Sequence, residues 1–271
     1  MTSSIPARRP LNAHISPERL VADGLAWLGY AFLLLPTLIV IPLSFGDSAI
    51  LSFPPKEFSL RHYQTYFFAS DWFSTTLQSL KIASIVTAIS LILGVGAAYG
   101  LNRSEFRGKK LVLLLLLSPM FVPGIVIGLA LYLYLAKFGL TGTTTGLIIG
   151  HTLVVMPFVI VTASAGMRHI DRNIETAGRI TGASNFTVVR TITLPLLLPS
   201  ILAGGVFAFL MSFDEVVVSY FLASVDSQTL PLKMYNSIQW EISPVIAAIS
   251  SLLTVLSLLA CLITIIPRRG T

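Results

Sequence analysis

The chain has 271 residues, 54% of them hydrophobic and only 11% charged, with a mean hydropathy of +0.83, which excludes an ordinary soluble globular protein and points to the membrane class. Its net charge of +6 does not point to nucleic acid, because a nucleic-acid binder gathers its basic residues on one solvated face, and here they are spread between apolar runs. The single cysteine, Cys261, lies inside an apolar run and can form no intrachain disulfide.

A hydrocarbon core about 30 Å thick needs roughly 20 mostly apolar residues per helix. Six stretches meet that length, at about 25–45, 77–101, 111–135, 146–166, 194–222 and 245–266. Residues 1–24, rich in Pro, Arg and Ser, read as a tail. This basic leader and the apolar run after it have the outline of a secretory signal. The run is longer than the usual length of about 7 to 15 residues and no small-x-small cleavage site follows, so the first span is expected to stay in the membrane. The segment at 46–76 holds Phe58, Tyr63, Tyr66, Phe67, Phe68 and Trp72, which predicts a partly helical lid at headgroup level, where aromatic side chains settle.

Inside the later spans, Pro119, Pro123 and Pro157 lack a backbone donor and are expected to kink or break their helices. The pairs Gly96/Gly100, Gly124/Gly128 and Gly146/Gly150 have the small-xxx-small spacing that lets helix backbones approach. No segment between spans is long enough to bury a core of its own, so 25–266 reads as one membrane domain followed by a short tail at 267–271. Of the Lys and Arg outside the spans, 13 fall in the two tails, the second-to-third loop and the fourth-to-fifth loop, against only Lys56, Arg61, Lys137 and Lys233 on the other side. The positive-inside rule then makes both termini cytoplasmic.

Catalytic patterns are missing. The histidines His14, His62, His151 and His169 show no His-Glu-x-x-His spacing, there is no Gly-x-Ser-x-Gly elbow, and Gly108-Lys109-Lys110 has neither the upstream glycine nor the Ser/Thr of a phosphate-binding loop. The chain is therefore expected to have no catalytic residue, no metal site and no ATPase site. His151 opens the fourth span and has two readings, a proton relay or a hydrogen-bonder at a helix end. Asp214 and Glu215 lie about 20 residues into the fifth span, near its outer mouth. Neighbours on a helix diverge by about 100°, so one at most faces a cavity. Either one of them passes a cationic solute or both are structural acids.

The fourth-to-fifth loop, 167–193, is the polar, basic exception between two apolar runs. Asp171 is placed to cap a helix whose apolar residues Ile174, Ala177 and Ile180 recur at three-residue steps, and Gly182 to end it in a left-handed turn. Ser184 caps a second short helix carrying Phe186, Val189 and Ile192, which runs into Leu194-Pro195, where proline suits the first turn of the next span. Arg179 and Arg190 fall on exposed faces. This stretch resembles the cytoplasmic coupling loop of ATP-binding-cassette importer permeases, Glu-Ala-Ala, three residues, Gly, nine residues, Ile-x-Leu-Pro. Ala177, Gly182, Ile192, Leu194 and Pro195 stand at the pattern's spacing. Thr176 takes the place of the glutamate and Gly178 that of the second alanine, with Glu175 one residue early.

Further stretches are similar to the second permease subunit of spermidine/putrescine-type importers: Phe53-Pro54-Pro55, Phe58-Ser59-Leu60-Arg61-His62-Tyr63, Ser212 to Val218, Thr229 to Tyr235, and Glu241-Ile242-Ser243-Pro244. Related importers of iron, opines, phosphonates and small amines share them. The resemblance implies an all-α, six-helix type I importer permease of the bacterial inner membrane. It also implies a homologous second permease, two cytoplasmic ATPases that hold the ATP-Mg, an extracytoplasmic solute-binding protein, and membrane lipid around the spans. Glu175, Thr176, Ala177, Gly178, Gly182, Ala183, Ser184, Ile192, Leu194 and Pro195 would form the ATPase-coupling element, and Asp214 and Glu215 part of the substrate path. The rival class, an autonomous secondary transporter, calls for inverted repeats or paired broken helices with midplane charges, and neither is read here.

Overall fold

Helices solvated by lipid gain little from burying apolar side chains against each other, so their packing follows small residues and polar bridges. The computed structural model of the protein describes residues 17–48, 52–240 and 243–265. The expected tail at 267–271, the leader residues Arg8 and Arg9, and Glu241-Ile242 lie outside them. In chain order the helices are α1 (Pro17–Leu43), α2 (Arg61–Gln64), α3 (Trp72–Arg103), α4 (Lys109–Leu117), α5 (Gly124–Ala136), α6 (Thr144–Arg168), α7 (Arg172–Ile180), α8 (Asn185–Val188), α9 (Leu194–Phe213), α10 (Val217–Leu222), α11 (Leu230–Trp240) and α12 (Val245–Ile265).

The chain divides into two units, one of residues 1–69 with 243–271 and the other of 70–242. In the first, α1 packs along α12 and already begins at Pro17, ahead of the expected 25. The Ser44 hydroxyl donates to the Ile41 carbonyl at 2.6 Å, so it accepts from the Tyr63 hydroxyl at 2.7 Å. The Ser59 N–H donates to the Phe45 carbonyl. These bonds hold the aromatic segment, which is partly helical as expected: α2 continues as one wide turn, Thr65–Ala69. Phe53, Phe58 and Phe68 remain exposed on it.

In the second unit α3, α6 and α9 pack around Ile82, Val86, Val155, Val159 and Ala208. Side-chain amides tie α3 to α6 at both ends, Gln78 Nε2 donating to Thr144 Oγ1 at 2.8 Å and Asn102 Nδ2 to Ser164 Oγ at 3.1 Å. Between those ties the backbones meet at Gly94, where an added β-carbon would stand 2.8 Å from Val159 Cγ1. Of the expected glycine pairs, Gly128 and Gly150 do meet α10, but Gly96 and Gly100 face open space. At the far end of α3, the Leu230 N–H of α11 donates to Ser79 Oγ at 2.7 Å. Lys233 pairs there with Asp71 and lies 4.8 Å over the Trp72 ring, and its hydrogen bond holds the Asp71 carboxyl below the ordinary 3.8.

The six expected spans are not all present as single helices. Among the described residues four helices are long and apolar enough to cross a membrane, or five if a pair bent by 101° counts as one span. That pair is the third expected span, 111–135: Pro119 and Pro123 remove donors, α4 ends in the tight turn Ser118–Met120, and α5 restarts after an extended Pro123. Pro157 breaks nothing and sits buried inside an unbroken α6, as membrane helices permit when neighbours hold them. The fifth expected span, 194–222, stops at Phe213, and α10 is a separate helix. The sixth corresponds to α12, a helix of 21 residues from Val245 to Ile265.

The close approach at Gly94 has a direct test. Gly94→Ala forces the α3–α6 contact apart at a cost of about 1–3 kcal/mol and is expected to lower the thermal unfolding midpoint of the purified protein, whereas Gly96→Ala, with nothing within 4 Å of its β-carbon, leaves it unchanged.

Candidate functional site

The connector between α6 and α9 is built by its caps. Asp171 accepts the Asn173 N–H at 2.9 Å and starts α7. Gly182, at φ +93°, turns the chain where a β-carbon would be strained, while the Ala183 N–H closes on the Gly178 carbonyl at 3.2 Å. Ser184 accepts the Thr187 N–H at 3.2 Å and starts α8. A wide turn, Val189–Thr193, then leads into α9 with Pro195 in its first turn.

Glu175 lies underneath, 2% exposed. Its Oε2 stands 2.9 Å from Arg103 Nε at the end of α3 and 3.9 Å from Arg179 Nη2, and its Oε1 accepts the Thr193 hydroxyl at 2.9 Å. Arg103 also donates to the Ile170 carbonyl at 3.2 Å. One carboxylate thus joins α3, α7 and the entry of α9. Gly178 lets α7 settle onto this base, since a β-carbon there would stand 2.9 Å from Ile192 Cδ1. Thr176, at the motif glutamate's position, bonds back to the Arg172 carbonyl at 3.0 Å.

The outer surface of the connector mixes apolar and basic side chains. Ile174, Ile180 and Phe186 are 47%, 82% and 73% exposed, and Ala177, Thr176, Ser184, Leu194 and Pro195 are exposed with them, whereas Ala183 and Ile192 are half-buried. One carboxylate, Glu175, is inside, while Arg172, Arg179 and Arg190 stand outside with the apolar residues. Arg103 and Thr193 were not legible as partners of Glu175, because each stands on a different element. The only signal was that Glu175 falls off the Ile174–Ala177–Ile180 face.

At the other end of α9 the predicted pair of acids splits. The Asp214 N–H makes the last helical bond, to the Leu210 carbonyl at 3.0 Å. Glu215 Oε1 then accepts the Val218 N–H at 3.0 Å and starts α10. Asp214 is exposed. His151, fully buried in α6, spans the break, with Nδ1 3.1 Å from Ser212 Oγ and Nε2 3.0 Å from Ser219 Oγ. The Ser219 hydroxyl spends its proton on the Glu215 carbonyl at 2.8 Å. His151 therefore donates from Nε2 and accepts the Ser212 hydroxyl at Nδ1. Of its two readings the hydrogen-bonding one fits this geometry, as a clamp between α9 and α10. Among the described residues no group of three or more His, Cys, Asp or Glu is spaced to hold a metal ion.

Residues 90–270 match the family model described as binding-protein-dependent transport system inner membrane component. The chain is 32% identical over 240 residues to the spermidine/putrescine transport system permease protein PotC of Escherichia coli K12, covering 89% of this chain and 90% of that one. It is 33% identical to PotC of Haemophilus influenzae over 89% and 94%, and 30% identical to the putrescine transport system permease protein PotI of E. coli K12 over 88% and 86%. Among solved structures, a chain of a bacterial ABC transporter involved in the import of the acidic polysaccharide alginate has the same fold, with a TM-score of 0.71 and 14% identity over 91% of this chain and 93% of that one. The fold is that of a type I importer permease.

Removing one partner of a buried ion pair leaves the other uncompensated, at about 3–5 kcal/mol. Glu175→Gln is expected to loosen the connector, seen as faster proteolysis between residues 170 and 193 and a lower unfolding midpoint. Arg103→Met with Glu175→Met should cost less than the two single changes added together, because the pair acts as one unit.

Proposed function

Because the chain belongs to the family of binding-protein-dependent transport system inner membrane components, we propose that it is one of two permease subunits of an ATP-driven importer for polyamines or related small cationic solutes. The two-sided connector carries this reading. Its inward carboxylate makes it a rigid extension of α3 and α9, and its outward Ile180 and Phe186 call for a cover, which in this scheme is a cytoplasmic ATPase that holds the ATP-Mg. Both termini then lie in the cytoplasm, and a homologous second permease completes the path. An extracytoplasmic binding protein delivers solute at the end where α9 breaks. The identities to PotC and PotI support the polyamine class. This subunit performs no covalent step: closure of the ATPases pushes the connector, α9 carries the displacement, and the break between α9 and α10 opens or shuts.

Reconstitution tests the whole scheme. Proteoliposomes holding this chain with its partner permease and ATPase, supplied with the binding protein, are expected to take up labelled spermidine or putrescine only when ATP is present. Uptake by this chain alone, driven by an ion gradient, would make it a secondary transporter.

Two variants test its ends. Ile180→Glu with Phe186→Glu is expected to release the ATPase from the detergent-purified complex, since the docking face becomes charged. Asp214→Asn is expected to weaken cation uptake by about tenfold for each 1.4 kcal/mol of lost attraction, with complex abundance unchanged. Uptake at the parental rate and affinity would make Asp214 a structural acid.

A further inference from the structure

A crevice of about 590 Å³ opens beside the connector, between α4 on one side and the ends of α3 and α6 on the other. It exists because α4 buries no residue of its own and stands away from the other two helices. One part of its lining is apolar, including Leu113 and Leu117 of α4 and Val161 of α6. The other part is basic, with Lys109, Lys110, Arg168 and Arg172, and Glu105 is the one acid among the lining residues. Lys109 already satisfies Glu105 at 3.1 Å, and also donates to the Ser104 carbonyl at 3.1 Å. Arg172 spends a donor on the Asn102 carbonyl. Lys110 and Arg168 are exposed, and neither has an acidic partner among the described residues.

We infer that this crevice seats one anionic phospholipid. The chemistry must match both parts of the lining. A soluble anion would satisfy the cations but leave the apolar wall against water, and an apolar partner helix would cover the wall but bury unpaired charges at high cost. A lipid supplies a phosphate at the basic mouth and acyl chains along the wall formed by Leu113 and Leu117 of α4 and Val161 of α6. Basic pockets between helices at the membrane surface recognise anionic headgroups in this way. A zwitterionic lipid also carries a phosphate, but its own cation faces Lys110 and Arg168 unfavourably, so an anionic headgroup is preferred. The inference rests on the permease reading only in requiring that the helices stand in a membrane.

The assembled complex is purified in mild detergent, phosphatidylglycerol or phosphatidylcholine is added, and the lipid retained is counted by native mass spectrometry. Wild type should hold one phosphatidylglycerol through a wash that strips phosphatidylcholine, and inorganic phosphate should not displace it. Lys110→Gln with Arg168→Gln should reduce that retention at least tenfold. Val161→Trp, which fills the crevice from its apolar side with every charge intact, should reduce it as well. Equal retention in the charge variant would show that the basic mouth plays no part, loss there with full retention in Val161→Trp would show general attraction to a basic surface, and either result overturns the site. Displacement by inorganic phosphate would show a soluble-anion site instead and also overturn it. Polyamine uptake measured on the same preparations separates the two readings: lost lipid with intact uptake leaves the transport function standing, and intact lipid with no uptake does the reverse.

Discussion

The buried carboxylate of Glu175 is the interaction on which the connector depends. Taking a carboxylate and a guanidinium out of water costs several kcal/mol for each ion, and a buried pair is tolerated only where geometry and added hydrogen bonds recover that cost. Arg103 at 2.9 Å supplies the opposite charge, and the Thr193 hydroxyl at 2.9 Å supplies a hydrogen bond. Because those two partners come from the end of α3 and the entry of α9, the pair fixes α7 against two long helices at once. It also turns one face of α7 inward, and Ile180 and Phe186 are left facing out beside the exposed Arg179 and Arg190.

The same helix carries the consequence to the opposite end. α9 has 20 residues, about 30 Å at 1.5 Å per residue, and it stops where Asp214 and Glu215 interrupt the apolar run. Glu215 restarts the chain as α10, and His151 holds both sides of the interruption through Ser212 and Ser219. A helix held by a carboxylate at its entry and by His151 at its exit is tied to its neighbours at both ends. In the proposed importer, the bistable element would be the set of contacts around that helix, since packed interiors shift between discrete arrangements rather than deform continuously.

Much of this was legible in the sequence where local chemistry decides. Asp171, Gly182 and Ser184 announce the two connector helices because caps and left-handed turns depend on the residues that form them, and Pro119 and Pro123 announce the broken span because they lack donors. The break after Phe213 was not legible: no Gly or Pro punctuates 206–222, and the clamp comes from His151, 61 residues before Ser212. Glu175 stands one residue before the motif glutamate's position, and spacing leaves open whether it replaces that residue; its buried role depends on Arg103 from another helix. The glycine pairs show the same limit. Gly96 and Gly100 have the right spacing, but which side of α3 meets α6 is decided by tertiary packing, and there Gly94 makes the contact.

The central claim is that the connector and the long helices move as one body. Spin labels at Thr176 on α7 and at Arg107, just beyond the end of α3, in the full complex reconstituted in lipid, report on it directly by pulsed electron resonance. The account predicts one distance distribution, unchanged between the nucleotide-free and ATP-bound states, while the distance from Thr176 to a label on the partner permease changes. A Thr176–Arg107 distance that shifts with nucleotide while the partner distance stays constant would contradict it, and the connector would be a hinge rather than a lever.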